Sequence, residues 1–372
     1  MSKLFEKWTL GSLELKNRII IAPMCQYSAE DGLASSWHLM HLGSLSHSGA
    51  GLLIFEATAV MPNGRISWGD LGLYSDGCEK ALKNIVQDIR KYSSMPLAIQ
   101  LAHAGRKAST EKPWFGGKQL PPDHAHGWQT IGPSPLSFYP QDLAPNELSV
   151  SDLSQVKDAF VQAAQRAVRI GFDGLEMHAA HGYLFHQFLS PISNHRTDQY
   201  GGSLENRMKF PLEVFQALRE SVPSNISLWT RISATDWVEG GWNINDSVTF
   251  SQRLKDLGCT AIHVSSGGLD PRQQIPVKPN YQVTFAEQIR HRANIPTIAV
   301  GLITEPEQAE QIVQSGQADA IAIARAALYD PRWPWHAAAK LKANVQCPPQ
   351  FLRCEPREHA KLLQPDLPPS SH

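Results

Sequence analysis

The sequence lacks the features that mark several classes of protein. Its 372 residues carry 34 Lys and Arg against 35 Asp and Glu, so the formal net charge is −1, and no basic run stands out. A surface for nucleic acid or for an anionic membrane usually carries an excess of positive charge. No apolar run approaches the roughly 20 residues that cross a bilayer. We therefore expect neither nucleic acid nor a membrane as a partner.

Cysteine is scarce and scattered. The five cysteines are Cys25, Cys78, Cys259, Cys347 and Cys354, and no two of them form a C-x-x-C pair. An odd number without this spacing argues against a disulfide framework, a structural zinc site and an iron–sulfur cluster. The opening stretch, MSKLFEKWTLGSLELKNR, has no apolar segment followed by a cleavage site. These features predict a cytoplasmic protein.

Short apolar runs alternate with longer helical segments along the chain. The runs cover residues 18–24, 51–57, 96–102, 172–178, 226–232, 260–266, 296–301 and 319–325. Side chains on both faces of each run are apolar, which is typical of buried parallel strands. Eight such strands separated by helices favour a single (β/α)8 barrel. The rival is an open doubly wound sheet, whose first strand usually leads into a G-x-G-x-x-G turn; RIIIAPMCQYS has none.

The helical segments and the two chain ends complete the predicted fold. Helices are predicted at 36–48, 79–92, 151–169, 206–221, 246–257, 281–293, 306–315 and 332–343. The clearest is 151–169, with Ser151 or Asp152 as its cap and Gly171 as its end. We expect the residues before Arg18 to form a hairpin that closes the bottom of the barrel. The barrel domain then covers residues 1–363, and 364–372 form a frayed tail.

Two predicted loops are much longer than the usual two to six residues of such connections. They cover about 103–150 and 178–206, after strands 3 and 4. Barrel enzymes build their active sites from the loops at the C-terminal ends of the strands. The second loop begins HAAHGYLFHQFLSP, and we expect it to contribute functional residues.

His178, His181 and Tyr183 stand together at the start of this loop. They could hold a metal, but catalytic zinc takes three protein ligands, and neither His186 nor Glu176 makes a convincing third. They could also be structural. A third interpretation is that both imidazoles donate to one substrate oxygen and stabilise an enolate, while the phenol protonates the neighbouring carbon. That chemistry needs a nucleophile which the protein lacks, such as a hydride on a cofactor. The residues alone leave all three open.

The other predicted strand ends contribute polar and small residues to the same mouth. They are Pro23, Met24, Cys25, Tyr27, Ala57, Gln100, His103, Arg106, Arg231, Gly301, Ala324 and Arg325. Small residues and an arginine after strands 7 and 8 fit the phosphate site that many barrels share.

The segment HAAHGYLFHQFLSPISNHRTDQYGGSLENR, residues 178–207, closely resembles the signature of the Old Yellow Enzyme family. The segments NRIIIAPMCQYSA, IQLAHAGRKA, VSSGG, AVGLIT and IARAAL agree in register. APMCQYS resembles the bacterial subgroup of xenobiotic reductases and thermostable-type ene-reductases. The resemblance implies a (β/α)8 barrel with tightly bound, non-covalent FMN and NADPH or NADH as reductant. It also implies reduction of activated alkenes such as enones, enals, maleimides and nitro compounds.

The resemblance further implies a role for each matching position. The FMN ring would be bound by Ala22, Pro23, Met24, Cys25, Ala57, Gln100 and Arg231, and its phosphate by Gly301, Ala324 and Arg325. His178 and His181 would hold the substrate oxygen, Tyr183 would donate the proton, and Tyr27 would contact the substrate above the flavin. Glu176 alternates with His178 on the predicted strand, and we interpret it from this position as a structural acid without a catalytic role.

Three positions bear on how far this resemblance extends. PPQFLRC resembles a segment that reaches a neighbouring subunit's site, with Arg353 as the matching arginine in a dimer or tetramer. Leu302 replaces a Trp of some xenobiotic reductases, and Ala324 replaces a common Gly. Two alternatives stay open: a dienoyl-CoA-type flavin reductase, which would need a cysteine cluster and a further domain, and a metal-dependent barrel hydrolase.

Overall fold

Eight parallel strands of the chain form one closed barrel. A computed structural model describes residues 2–366. The barrel strands are β1 (Ile19–Ile21), β2 (Leu52–Ala59), β3 (Leu97–Ala102), β4 (Gly174–Ala179), β5 (Ser227–Ser233), β6 (Ile262–Ser265), β7 (Thr297–Val300) and β8 (Ala320–Ile323). β8 pairs with β1, with Ile321 opposite Ile19, and this pairing closes the barrel. The predicted barrel is confirmed, and each strand overlaps its predicted run.

Every residue of these eight strands is buried. Side chains that point inward fill the barrel, and those that point outward pack under the surrounding helices. This burial on two sides explains why both faces of each strand carry apolar side chains. It also makes buried polar side chains on the strands, such as Gln100, Glu176, Arg231 and His263, candidates for a functional role.

The helices surround the barrel and fill its longer connections. They are α1 (Ser36–Ser46), α2 (Asp76–Arg90), α3 (Val150–Ile170), α4 (Leu184–Leu189), α5 (Leu204–Ser221), α6 (Ile244–Asp256), α7 (Val283–Ile289), α8 (Pro306–Gln314), α9 (Arg325–Tyr329) and α10 (Trp333–Lys340). The prediction missed α4 and α9. It also placed Arg325 at the end of a strand, whereas β8 ends at Ile323 and Arg325 begins α9.

The longest helix, α3, is capped by Ser149, two residues before the nearer of its predicted caps. Ser149 Oγ accepts from the Asp152 N–H at 3.2 Å, and the Asp152 carboxylate accepts from the Ser149 N–H at 2.8 Å. This reciprocal pair satisfies two of the amide groups that a helix start leaves without partners. Ser151 is therefore not the cap, and Asp152 contributes from inside the first turn. The predicted end is correct, because Gly171 takes a left-handed φ of 101°.

An N-terminal hairpin covers the bottom of the barrel, as predicted. Its strands, Trp8–Leu10 and Leu13–Leu15, pair antiparallel. Leu10 and Leu15 are fully buried. The Ser12 N–H donates to Ser227 Oγ at 3.2 Å, at the start of β5. The turn residue Gly11 has a φ of 61°, and a Cβ there would lie 2.6 Å from Ser227 Oγ, so this close approach requires glycine.

The end of the described chain is held more firmly than predicted. The strand Leu363–Pro365 pairs parallel with Val345–Cys347. Asp366 accepts from the Ser94 N–H at 3.1 Å and from Lys16 Nζ at 3.0 Å. Residues 364–366, assigned to the frayed tail, are therefore anchored, and 367–372 lie outside the described residues. Within 2–366, no helix combines the length and apolarity that a membrane span requires.

Candidate active site

The two long loops lie side by side at the C-terminal mouth of the barrel. The Leu184 N–H at the start of α4 donates to the His103 carbonyl at 3.0 Å. Gln187 Nε2 donates to the carbonyls of Ala104, at 3.1 Å, and Gly182, at 2.7 Å. These bonds brace the loop after β3 against the loop after β4, so the residues at the start of both loops are held in place.

His178, His181 and Tyr183 form one aromatic cluster at this mouth. The ring centroids of His178 and His181 are 5.1 Å apart, and those of His178 and Tyr183 are 5.0 Å apart, with nearly perpendicular planes. The chain turns sharply at His181, which has a left-handed φ of 59°. That conformation is unfavourable for a non-glycine residue. It is held by the His181 N–H, which donates to Ser233 Oγ at 2.9 Å.

His178 presents a single N–H toward the mouth. Its Nδ1 accepts from the Ala180 N–H at 3.2 Å, which leaves the ring proton on Nε2. Burial, and then the positive charge of Arg231, hold the pKa of His178 well below its usual value. The ring is therefore neutral at physiological pH, with Nε2–H as its donor.

His181 is also neutral, and its Nε2 contacts a serine. Its pKa lies well below the usual value because of burial and then the charge of Arg231. His181 Nε2 lies 2.8 Å from Ser265 Oγ, whereas the other acceptor for that hydroxyl, Gln282 Oε1, lies 3.4 Å away. Gln282 Oε1 already accepts from Ser266 Oγ at 2.6 Å. Ser265 Oγ thus lies between two partners, the His181 ring and the Gln282 amide oxygen.

Tyr183 is protonated and lies beside a lysine that the prediction missed. Burial raises the pKa of Tyr183 well above its usual value, so the phenol keeps its proton. Lys107 Nζ lies 5.2 Å from the Tyr183 ring centroid. The ammonium group donates to the carbonyls of His181 and Gly268, both at 2.8 Å. Lys107 thus ties the loop after β3 to the turn that carries His181.

The residues after β1 line the next part of the mouth. The Ala22 N–H donates to the Ile323 carbonyl at 2.9 Å, and Pro23 to Tyr27 are partly exposed. The Gln26 N–H donates to Glu56 Oε1 at 3.1 Å, and Tyr27 takes a left-handed φ of 51°. Burial, then the nearby Asp70 and Glu56, raise the pKa of Cys25 well above its usual value. Cys25 is therefore a thiol rather than a reactive thiolate.

Ala57, Gln100 and Arg231 are buried at the ends of β2, β3 and β5. Ala57 follows an irregularity in the pairing of β2 with β3. Gln100 Nε2 donates to Glu176 Oε1 at 2.6 Å, which leaves its carbonyl oxygen for a ligand. Arg231 Nε is buried without a hydrogen-bond partner in the described structure. A buried donor without a partner is unfavourable, and the pyrimidine edge of FMN carries acceptors that fit it.

Gly301, Leu302, Ala324 and Arg325 line a cavity of about 180 Å³ between β7 and β8. Arg231 lies at the same cavity, which connects it to the end of β5. Gly301 has a φ of 120°, and a Cβ there would lie 2.4 Å from Gln282 Nε2. Glycine is thus required by both conformation and space. Backbone N–H groups and a guanidinium group are the partners that a phosphate needs, and the phosphate site at this cavity stays a prediction.

Arg353 is the one predicted site residue for which the structure records no contact with the others. It is exposed on the short helix Pro349–Cys354. This helix packs beside α10, where the rings of Phe351 and Trp335 lie 5.8 Å apart. Within residues 2–366 no hydrogen bond or salt bridge links Arg353 to another site residue. A role for Arg353 at the mouth therefore depends on a second subunit.

The residues that could complete a metal site are otherwise engaged. His186 Nε2 lies 2.7 Å from Asp236 Oδ1, and its Nδ1 accepts from the Gly182 N–H at 2.9 Å. Glu176 accepts from three neighbouring side chains inside the barrel. In the part of the chain that the structure describes, no group of three His, Cys, Asp or Glu side chains has a geometry that could hold a metal ion.

Sequence reasoning missed Lys107, Trp229, His263 and Ser265. Trp229 and His263 contact Glu176 from the neighbouring strands β5 and β6. The alternation of Trp229 with Arg231 on β5 places both on the inner face and could have identified Trp229. The place of Lys107 depends on a loop conformation, for which the sequence carries no comparable pattern.

The comparisons with known proteins agree with this site. The model of the "NADH:flavin oxidoreductase / NADH oxidase family" matches residues 3–344. An NADPH dehydrogenase of Bacillus velezensis is 42% identical over 353 residues, which cover 94% of this chain and 98% of that protein. An NADPH dehydrogenase of Listeria innocua is 43% identical over 355 residues, covering 95% and 99%.

A solved structure agrees at the level of the fold and the cofactor chemistry. Morphinone reductase in complex with tetrahydroNAD has a TM-score of 0.74 and 27% identity, and the match covers 98% of both chains. The resemblance stated from the signature segments is thus confirmed. The chain belongs to the NADH:flavin oxidoreductase / NADH oxidase family, whose members are FMN-dependent oxidoreductases.

Proposed function

We propose that the protein is an NAD(P)H dehydrogenase that reduces the double bond of activated alkenes. The observation that carries this proposal is the cluster of two neutral imidazoles and one protonated phenol. The His178 proton lies on Nε2 and the Tyr183 phenol is protonated, and all three groups lie at the mouth that carries the proposed FMN-binding residues. Such a set fits a substrate with one electron-withdrawing oxygen next to a carbon that must be protonated.

FMN, held by residues such as Gln100 and Arg231, would supply the redox chemistry, namely hydride transfer from NADPH or NADH to the β-carbon of the alkene. The protein binds and polarises the substrate. His178 Nε2–H and His181 Nδ1–H donate to the substrate oxygen, which accumulates negative charge as the double bond is reduced. Preorganised donors of this kind are among the strongest contributions to catalysis.

Tyr183 completes the reaction by donating its proton to the α-carbon. Its raised pKa keeps the phenol protonated until a strongly basic carbon forms beside it. A general acid in this position contributes roughly 10²- to 10⁴-fold to the rate. Tyr27 contacts the substrate above the flavin, and the Cys25 thiol tunes the cofactor without forming a covalent bond.

The nicotinamide cofactor uses the same mouth as the alkene. The chain has no G-x-G-x-x-G segment that would indicate a separate dinucleotide site. Morphinone reductase, a structural neighbour, has been solved with tetrahydroNAD bound. The two substrates therefore bind in turn, and the first product leaves before the alkene enters.

The remaining alternatives are not favoured. A dienoyl-CoA-type reductase would need a cysteine cluster, whereas the five cysteines are all free and none stands in a C-x-x-C pair. A metal-dependent hydrolase would need a third ligand near His178 and His181, but His186 and Glu176 are bound elsewhere. Neither alternative explains why both rings are held neutral with a donor each.

We also propose a homo-oligomer, either a dimer or a tetramer, in which Arg353 reaches the mouth of a neighbouring subunit. The support is the exposed position of Arg353 on a helix that is itself anchored to α10. A cytoplasmic location is proposed as well, and the five free cysteines support a reducing compartment.

The replacement Tyr183→Phe tests the proposed chemistry. We expect alkene reduction to slow by about 10²- to 10⁴-fold, the range of a general acid, while reduction of the flavin by NADPH stays nearly unchanged. Stopped-flow absorbance of the flavin measures the two half-reactions separately. Tyr92→Phe is the matched control, because Tyr92 is 58% exposed and lies outside the site. Equal losses in both half-reactions of Tyr183→Phe would contradict the assigned role.

A further inference from the structure

Glu176 is a carboxylate enclosed in the barrel interior. Its side chain is fully buried and accepts three hydrogen bonds. Oε1 accepts from Gln100 Nε2 at 2.6 Å, and Oε2 accepts from Trp229 Nε1 at 2.6 Å and His263 Nδ1 at 2.7 Å. The three donors come from β3, β5 and β6, so one acid on β4 connects four strands.

The acid is ionised despite its burial. Burial by itself raises the pKa of the Glu176 carboxyl, but the interaction with His263 and the positive charge of Arg231 outweigh it and bring the pKa to about 2. A buried charge is unfavourable unless it is well paired, and apolar side chains of similar volume often fill such a place with equal or better stability. Packing of the barrel interior therefore does not by itself account for a glutamate at position 176.

The hydrogen bond to Gln100 determines which end of that amide is available. A carboxylate only accepts, so the amide nitrogen of Gln100 must face Glu176. The amide oxygen is then the atom left for a ligand. It accepts an N–H, such as the imide N–H of a flavin ring, and rejects a ligand that presents a carbonyl at the same place.

The charge of Glu176 also acts on Arg231. Glu176 lies opposite Trp229 in the strand register, and Arg231 follows two residues later on the same face of β5, between His178 and His263. Arg231 is buried and carries a positive charge toward the place where a reduced flavin becomes negative. The negative charge of Glu176 partly cancels the positive electrostatic potential that Arg231 produces at the ligand.

We propose that Glu176 is a positioning residue for the cofactor: it orients the Gln100 amide oxygen toward the flavin imide and offsets the charge of Arg231, so it sets both FMN affinity and reduction potential. The inference deepens the proposed function and rests on FMN binding at these residues. It requires nothing of His178, His181 or Tyr183.

The replacement Glu176→Gln tests the proposal. The new amide oxygen is expected to accept from Trp229 and His263, so its NH₂ group faces Gln100 and forces that amide to turn over. Loss of one well-aligned hydrogen bond corresponds to about a tenfold weaker binding of oxidised FMN. Loss of the negative charge favours binding of the reduced, anionic flavin. Each tenfold gain in affinity for the reduced form relative to the oxidised form raises the reduction potential by ~30 mV for a two-electron couple.

The measurements are titration of apoprotein with FMN and a spectroscopic redox titration of the holoenzyme, both without alkene. Glu310→Gln on α8 is the matched control, because Glu310 accepts from Ser2 and Leu4 outside the barrel interior, and both quantities should stay unchanged there. A folded Glu176→Gln protein with unchanged affinity and potential would overturn the proposal.

A second variant covers the case in which Glu176→Gln does not fold. Gln100→Leu removes the amide but keeps the carboxylate, so FMN affinity should fall about tenfold while the potential changes little. Unchanged affinity would overturn the proposed orientation. Since no alkene is used, failure here is distinct from failure of Tyr183→Phe in the alkene half-reaction.

Discussion

At the scale of single residues, the site depends on which atoms carry protons. The Ala180 N–H donates to His178 Nδ1 and so leaves the His178 proton on Nε2, and Ser265 Oγ contacts His181 Nε2. These partners come from the chain itself, so the donors are in place before any substrate binds. The phenol of Tyr183 requires a group that stabilises its negative charge, because it carries that charge after it has lost its proton.

Lys107 is placed to favour that charge, and its own titration should appear in the pH dependence. Burial, then the nearby Arg106, lower the pKa of Lys107 to about 7. The ammonium form therefore exists below about pH 7 and is lost above it. We expect the rate of alkene reduction to fall as the pH rises through about 7, and Lys107→Met to remove this step. Stopped-flow rates of the alkene half-reaction between pH 6 and 9 measure it.

The control for Lys107→Met is Lys80→Met, which changes an exposed lysine on α2. This variant should keep the wild-type profile. A Lys107→Met enzyme that retains the same decline near pH 7 would show that another group titrates there.

At the scale of secondary-structure elements, helix ends depend on individual side chains that a hydrophobic pattern does not reveal. The apolar face of α3, with Phe160, Ala163 and Ala167 buried, determines that this segment is a helix and which side faces the barrel. Its starting point is decided by the bonds between Ser149 and Asp152. A cap of this kind contributes about 1 kcal/mol.

Ser149→Ala should lower the free energy of unfolding by about 1 kcal/mol, because the Asp152 N–H loses its acceptor. Urea unfolding followed by far-UV circular dichroism measures the change. Ser154→Ala is the matched control, since Ser154 is exposed within the same helix and alanine is the better helix former. It should leave stability unchanged or slightly higher. Equal losses in both variants would contradict the capping role.

At the scale of the whole molecule, the barrel brings together residues far apart in the chain. Gln100, Glu176, Trp229 and His263 lie on four strands and meet only because the barrel closes. The anchoring of the last described residues, through Asp366 to Ser94 and Lys16, extends this effect to the C-terminal segment that carries Arg353.

Arg353→Ala tests the proposed role of a second subunit. We expect the protein to sediment as a dimer or larger, and the variant to raise the alkene KM about tenfold with little change in flavin reduction by NADPH. The reason is that a charged hydrogen bond contributes roughly 1.5–3 kcal/mol. Arg357→Ala, a nearby exposed arginine, is the control. A monomer in sedimentation velocity, or an unchanged KM, would contradict the proposal.

Sequence alone predicted the barrel because its strands are buried on both faces, and that burial is recorded in apolar runs such as IIIAP and LAIQLA. It predicted the site residues through a long signature whose spacing matches a known family. The hairpin at the bottom of the barrel was also predicted correctly.

Only the tertiary structure decided how the site residues are held and protonated. The contact of His181 with Ser265, the place of Lys107 and the bonds of Glu176 each depend on partners that are remote in sequence. Hydrogen bonds are directional and short-ranged, so they are determined by where the folded chain places each atom. Burial in the closed barrel then shifts the pKa values of these groups, and no local pattern in the sequence encodes that burial residue by residue.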